Sequence, residues 1–195
     1  MLDSQGRVTS RFFEDYYVER NTFSSVMLKV GAGSTPVAAT KISTAQLDLT
    51  TFASDQDVAP GNRFSLVFDV APRAGIHVYA PGASSYRVIS VAMTPEPLVQ
   101  VLPIQYPPSE IYFFEPLNER VPVYQKPFRL VQEVLLQGTA QAQAALQGKE
   151  SLTLTGVVEY QACDDKVCFN PATVPVTWRL SVRSLVRERP TVPRP

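Results

Sequence analysis

Residues 174–182 read VPVTWRLSV, and their alternation decides the fold. Val174, Val176, Trp178, Leu180 and Val182 fall on one side of an extended chain, with other residues between them. Residues 64–70, FSLVFDV, repeat the pattern with Phe64, Leu66, Phe68 and Val70. A period of two marks strands with one buried face. Similar segments recur at 43–52 (STAQLDLTTF), 86–94 (YRVISVAMT), 98–106 (LVQVLPIQY), 127–136 (PFRLVQEVLL) and 152–162 (LTLTGVVEYQA), with Pro, Gly, Asn or Asp between them. A parallel α/β sheet would need helical crossovers that this region lacks. The pattern therefore predicts an all-β chain, an antiparallel β-sandwich of two packed sheets. Only residues 139–149, TAQAQAALQGK, have helix-forming composition here.

The chain has 195 residues, enough for one substantial core, so its folding does not depend on a disulfide. Lys and Arg total 18, as do Asp and Glu, leaving no net field to attract nucleic acid, an anionic membrane or an acidic substrate. Seventeen prolines point to short strands and turns. No apolar run approaches the roughly 18 residues of a membrane span, and MLDSQGRVTSRFF lacks the basic start and apolar stretch of a signal peptide. There is no G-x-S-x-G, no Gly-rich phosphate loop and no basic patch, which removes serine-nucleophile, phosphate-binding and nucleic-acid readings.

Residues 1–33 differ in character. LDSQGRV reads as a strand, a turn at Asp3–Gly6 and a second strand from about Arg7. NTFSSVMLKVG then predicts a helix: Asn21 or Thr22 caps it, Phe23, Val26, Met27 and Val30 share a face, and Gly31 ends it. The expected organisation is an α/β N-terminal piece over 1–33, a linker over 34–45, the sandwich over 46–185 and a disordered, proline-bearing tail over 186–195.

Both cysteines lie in residues 160–171, YQACDDKVCFNP. A strand runs into Cys163, four residues intervene, and another strand follows Cys168 and Pro171. Facing residues of an antiparallel pair have Cα atoms about 4.5–5.5 Å apart, within disulfide reach. Closing so short a loop removes only about 2 kcal/mol of unfolded-state entropy. Asp164 and Asp165 oppose thiolate formation, Lys166 favours it, and Tyr160 and Phe169 offer apolar cover on either side. Residue types alone leave three readings open: a structural staple, a redox pair, or a metal site completed by His77 or a carboxylate. The metal reading is the weakest, since a lone cysteine pair is a poor zinc signal. Nothing in the sequence places His77, the only histidine, beside either thiol, and it reads as an ordinary, partly buried residue.

Residues 158–178, VEYQACDDKVCFNPATVPVTW, resemble the active-site hairpin of the N-terminal domain of the thiol:disulfide interchange protein DsbD. The tyrosine before the first cysteine, the short acidic loop and the proline after the second carry the resemblance. RAGIHVYAPG (73–82) and YRVISVAM are similar to the same family's Gly, aromatic and Tyr segment, and the likeness spans roughly 140 residues. It implies an immunoglobulin-like β-sandwich whose Cys163 and Cys168 cycle between dithiol and disulfide. It also implies that Cys168 forms the mixed disulfide with a partner, that Cys163 resolves it, and that no cofactor or metal takes part. The family covers its cysteines with an aromatic cap loop. Here YFFEPLNE (112–119) is the candidate, with Phe113 or Phe114 as lid and Glu115 beside it, and Tyr79 matches a tyrosine near the pair. Phe113 and Phe114 also read as plain strand residues, and Tyr79 as a core residue. The four-residue spacer is one shorter than the family's usual loop.

Residues 1–31 carry a second resemblance: LDSQGRVTSRFFEDYYVERNT, with its Asp-x-x-Gly-x-Val turn, is similar to the closing hairpin and last helix of a redoxin of the AhpC/TSA, peroxiredoxin-like group. This implies a redoxin preceding the sandwich, in cis, as a natural partner. The resemblances together imply a thiol-disulfide oxidoreductase module that relays electrons to or from a thioredoxin-fold or peroxiredoxin-like partner in the periplasm or another extracytoplasmic space, a cytoplasmic fusion being the alternative. The competing function is a non-enzymatic immunoglobulin-like interaction domain with a structural disulfide.

Overall fold

The computed structural model describes Gln5 and residues 19–31, 38–115 and 118–183. In chain order the first elements are β1 (Arg20–Asn21), α1 (Phe23–Lys29), β2 (Thr40–Ser43), β3 (Leu47–Ala53), β4 (Asp57–Val58), β5 (Asn62–Pro72), β6 (His77–Tyr79) and β7 (Ser90–Met93). There follow β8 (Val99–Gln105), β9 (Glu110–Phe114), β10 (Glu119–Tyr124), β11 (Phe128–Leu136), α2 (Ala140–Leu146), β12 (Ser151–Tyr160), β13 (Ala162–Cys163) and β14 (Ala172–Val182).

The alternating stretch at 174–182 lies in β14, which pairs antiparallel with β12 along its length and sets Trp178 opposite Leu154. Val174, Val176, Trp178 and Leu180 are buried while the residues between them are exposed, the outcome that the period of two predicts. β7 flanks β12 on its other side, where a Cβ on Gly156 would stand 2.8 Å from the Ala92 carbonyl oxygen. Glycine is required there by close approach of backbone. A second sheet runs β2-β3-β5-β11-β8. Its Phe64, Leu66, Phe68 and Leu130 are fully buried against the first, and Phe68 meets Trp178 edge to face, ring centroids 5.6 Å apart. The Trp178 indole N–H donates to Thr51 Oγ1 across the interface at 3.1 Å, so the one polar atom of that buried ring is satisfied. Most neighbours are antiparallel, and the fold is the expected immunoglobulin-like sandwich; β1 with β5 and β4 with β14 are short parallel pairs.

The predicted helix forms, but the face it buries carries Ser25 and Leu28 rather than the expected row of Phe23, Val26, Met27 and Val30, and Phe23 is exposed. Thr22 Oγ1 caps α1 by accepting from the Ser25 N–H at 3.2 Å, and Gly31 follows with φ +74°, where a side chain would strain the backbone. The helix does not stand apart from the sandwich. Its Leu28 packs on Phe52 and Val67, its Ser25 hydroxyl meets Ser65 Oγ at 2.9 Å, and Lys29 pairs with Glu133. These contacts cover the outer face of β5, which explains why Ser65 and Val67 are buried although the alternating pattern assigns the core to their neighbours. β2 lies inside the span 34–45, expected as a linker, and pairs with β3. α2 forms under a Thr139 cap, as its composition predicts. The turn at Asp3–Gly6 with its flanking strands, and the tail over 186–195, lie outside the described residues apart from Gln5. No helix among the described residues is long and apolar enough to cross a membrane.

Candidate functional site

A third, smaller sheet, in the order β13-β6-β10-β9, carries the cysteines at one end of the sandwich. Period-two geometry splits β6 between two tasks: Val78 enters the main core, while Tyr79 joins a second apolar cluster with Cys163, Val121 and Val123. β13 then sets Cys163 opposite His77 as a strand partner. Cys163 and Cys168 are disulfide-bonded across a single antiparallel bridge, their Cα atoms 4.1 Å apart.

The two cysteines differ in exposure. Cys163 is buried and Cys168 is exposed. The Tyr79 oxygen lies 2.9 Å from Cys163 Sγ and 3.4 Å from Cys168 Sγ. In the bonded pair neither sulfur carries a proton, so the tyrosine O–H is the donor. Burial above all, then the adjoining Tyr86 phenol through its charge and a hydrogen bond, then the negative field of Glu119 and the Tyr112 phenol, push the Tyr79 pKa far above its ordinary value, and the hydroxyl keeps its proton. Tyr86 stacks on Tyr79 at 4.0 Å between centroids, nearly parallel, and donates to Glu119 Oε2 at 2.7 Å.

The loop between the cysteines is ordered by its own acids. Asp164 Oδ1 accepts the Lys166 and Val167 N–H groups, each at 2.7 Å, and these hold its carboxyl below the ordinary range. Asp165 accepts the Tyr112 hydroxyl at 3.0 Å, which joins the loop to β9. The His77 ring lies against Tyr112, centroids 4.5 Å apart, and edge-on to Tyr79. Burial lowers its pKa, opposed in part by Asp165 and Asp164. His77, Tyr79, Tyr112 and Asp164 line a cavity of about 70 Å³ together with Cys163 and Cys168.

Of the candidate residues, Cys163, Cys168, Tyr79, Phe114, Asp164 and Lys166 line this cavity, and Asp165 is tied to its rim. Phe113 does not. Strand alternation turns it and Ile111 to the outer face of β9, where the Arg120 guanidinium lies over the Phe113 ring at 5.3 Å. Glu115 is exposed beyond the end of β9 and does not line the cavity. Tyr160 belongs to the main core, with its hydroxyl 3.0 Å from Thr44 Oγ1. The inward period of β12 ends with it, before the chain crosses to the small sheet. Phe169 packs against the main core as well. Neither flanks the sulfurs. Sequence reading missed Tyr86, Tyr112 and Glu119, and it read His77 as an ordinary residue. For His77 a signal existed, since it sits two residues from Tyr79 on one strand face; Tyr112 and Glu119 reach the site through sheet pairing, and Tyr86 through the segment that follows β6. Among the described residues no group of three or more His, Cys, Asp or Glu side chains is placed to hold a metal ion.

An immunoglobulin-like sandwich carrying a short-loop disulfide, one cysteine buried beside a tyrosine and the other exposed, has the parts that a thiol–disulfide interchange domain needs. The sequence profile described as thiol:disulfide interchange protein DsbD, N-terminal, matches residues 45–178, more than two thirds of the chain. The chain belongs to that family. No curated protein matches it. Among solved structures, it is similar to the N-terminal periplasmic domain of ScsB from Proteus mirabilis, with TM-score 0.47, 10% identity, and coverage of 72% of this chain and 49% of that one. The chain thus spans about half the length of that domain. The GAE domain of GGA2p from Saccharomyces cerevisiae aligns with TM-score 0.37 and 10% identity over 72% of this chain and 94% of that one.

Proposed function

We propose that this domain relays electrons between a redox donor and a thioredoxin-fold or redoxin partner by cycling Cys163 and Cys168 between dithiol and disulfide. The observation that carries the reading is the unequal exposure of the two cysteines. A partner thiolate reaches Cys168 Sγ in line; as the new bond forms, the Cys163–Cys168 bond breaks and its electron pair passes to Cys163 as thiolate. In the opposite direction Cys168 thiolate attacks the partner's disulfide, and Cys163 attacks Cys168 Sγ to expel the partner's thiolate and close the bond again. Two electrons move and no cofactor is consumed. Cys168 is therefore the exchanging residue and Cys163 the resolving one. Family membership and the presence of a disulfide favour the periplasm as location, and the redoxin-like residues 1–31 favour a redoxin in cis.

The test is covalent trapping. Cys163→Ser should leave Cys168 able to hold a mixed disulfide with a thioredoxin-fold protein, while Cys168→Ser should give no adduct. A reduction potential in the range of about −180 to −270 mV supports relay, whereas one below about −300 mV, with no adduct, returns the pair to a structural staple.

A further inference from the structure

We infer that Tyr86 and Glu119 are positioning residues that hold the Tyr79 hydroxyl on Cys163 Sγ, so that the thiolate leaving when the bond opens is held by a ready-made hydrogen bond. This rests on the exchange reading above.

Tyr79 stands on β6, Tyr86 in the segment after it and Glu119 at the start of β10. The three meet only because the small sheet brings β6 beside β10, with Val123 opposite Tyr79. The near-parallel stack fixes the plane of the Tyr79 ring from one side. Tyr86 is itself anchored, its proton committed to Glu119 Oε2. A ring fixed in this way cannot swing its oxygen off the sulfurs without breaking the stack, and the oxygen lies nearer to Cys163, the sulfur that must carry charge, than to Cys168. Leaving-group departure in thiol–disulfide exchange speeds up as the leaving thiol's pKa falls. A donor already in place lowers that pKa at no cost in reorganisation when the charge appears. Phe would preserve the packing of either ring and lose only the hydroxyl.

The experiment is a double-mutant cycle on the full chain, read in two ways: the rate of reduction of the disulfide by dithiothreitol, and the pKa of Cys163 in the reduced Cys168→Ser protein, followed by thiolate absorbance. Tyr79→Phe should slow reduction about tenfold and raise the Cys163 pKa by about one unit, the effect of losing one hydrogen bond to a charged group. Tyr86→Phe should produce roughly a third to a half of that pKa rise in the wild-type background and none in the Tyr79→Phe background, because it acts only through Tyr79. Glu119→Gln keeps an acceptor for the Tyr86 hydroxyl and should not raise the Cys163 pKa, whereas Tyr86→Phe does. The other ionisable groups near the pair, His77, Tyr112, Asp164, Asp165 and Lys166, are common to every arm. Equal effects of Tyr86→Phe in both backgrounds, or loss of stability with an unmoved Cys163 pKa, would overturn the assignment. The thiol pKa needs no protein partner, so a domain that traps no thioredoxin-fold protein yet shows the coupled shift would sink the relay reading and leave this inference standing.

Discussion

The Tyr112 hydroxyl of β9 donates to the Asp165 carboxylate at 3.0 Å, linking the hairpin that walls the cavity to the loop that carries the cysteines. Asp165 is exposed, so the bond faces competition from water and contributes at most about 1 kcal/mol to stability. Its effect is on access. Tyr112→Phe should leave the urea midpoint nearly unchanged while raising the rate at which a protein thiol reduces the disulfide by about two- to fivefold, relative to dithiothreitol. Equal acceleration with both reductants would show that the link does not limit access.

The disulfide closes a short loop, and its entropic contribution is correspondingly small. Urea unfolding of the oxidised and reduced forms should differ by about 2 kcal/mol or less, with the reduced form still folded. Unfolding on reduction would show that the pair is a staple first.

His77 links the site to pH. Its folded pKa lies below the ordinary value of 6.5 because burial disfavours the imidazolium. Between the folded pKa and 6.5 the unfolded chain binds a proton that the folded chain does not, so stability falls as pH falls through that window and is level above it. His77→Phe should flatten this slope, measured as the urea midpoint at about pH 5 and about pH 7.5. The Asp164 carboxyl, held low by two backbone N–H groups, adds a separate loss only in the more acidic carboxylate range.

α1 is predicted to be part of the folded unit although it lies upstream of the family match at 45–178. Leu28→Ala, which opens the contact with Phe52 and Val67, should cost about 2–3 kcal/mol in urea unfolding. A chain beginning at residue 45 should be less stable than the full chain by at least that amount. No difference between the two would mean that the helix merely rests on the sheet.

The sequence alone determined the strands. Trp178, Leu180, Phe64 and Phe68 are buried because a pleated chain sends alternate side chains to one face, and that periodicity is local. The cap of α1 was legible for the same reason, being a contact within three residues. So was the cysteine pair, whose partners lie five positions apart. The tertiary structure decided what surrounds that pair. Tyr79, Tyr86, Tyr112 and Glu119 are between 33 and 89 positions from the groups they bond at the site. They converge because β10 inserts between β6 and β9, a pairing set by how the small sheet closes the end of the sandwich. The same closure buries Cys163, leaves Cys168 open, turns Phe113 outward while Phe114 faces the cavity, and sends Tyr160 to the core. The difference in burial between the two cysteines is a property of the assembled sheets rather than of twelve residues in a row.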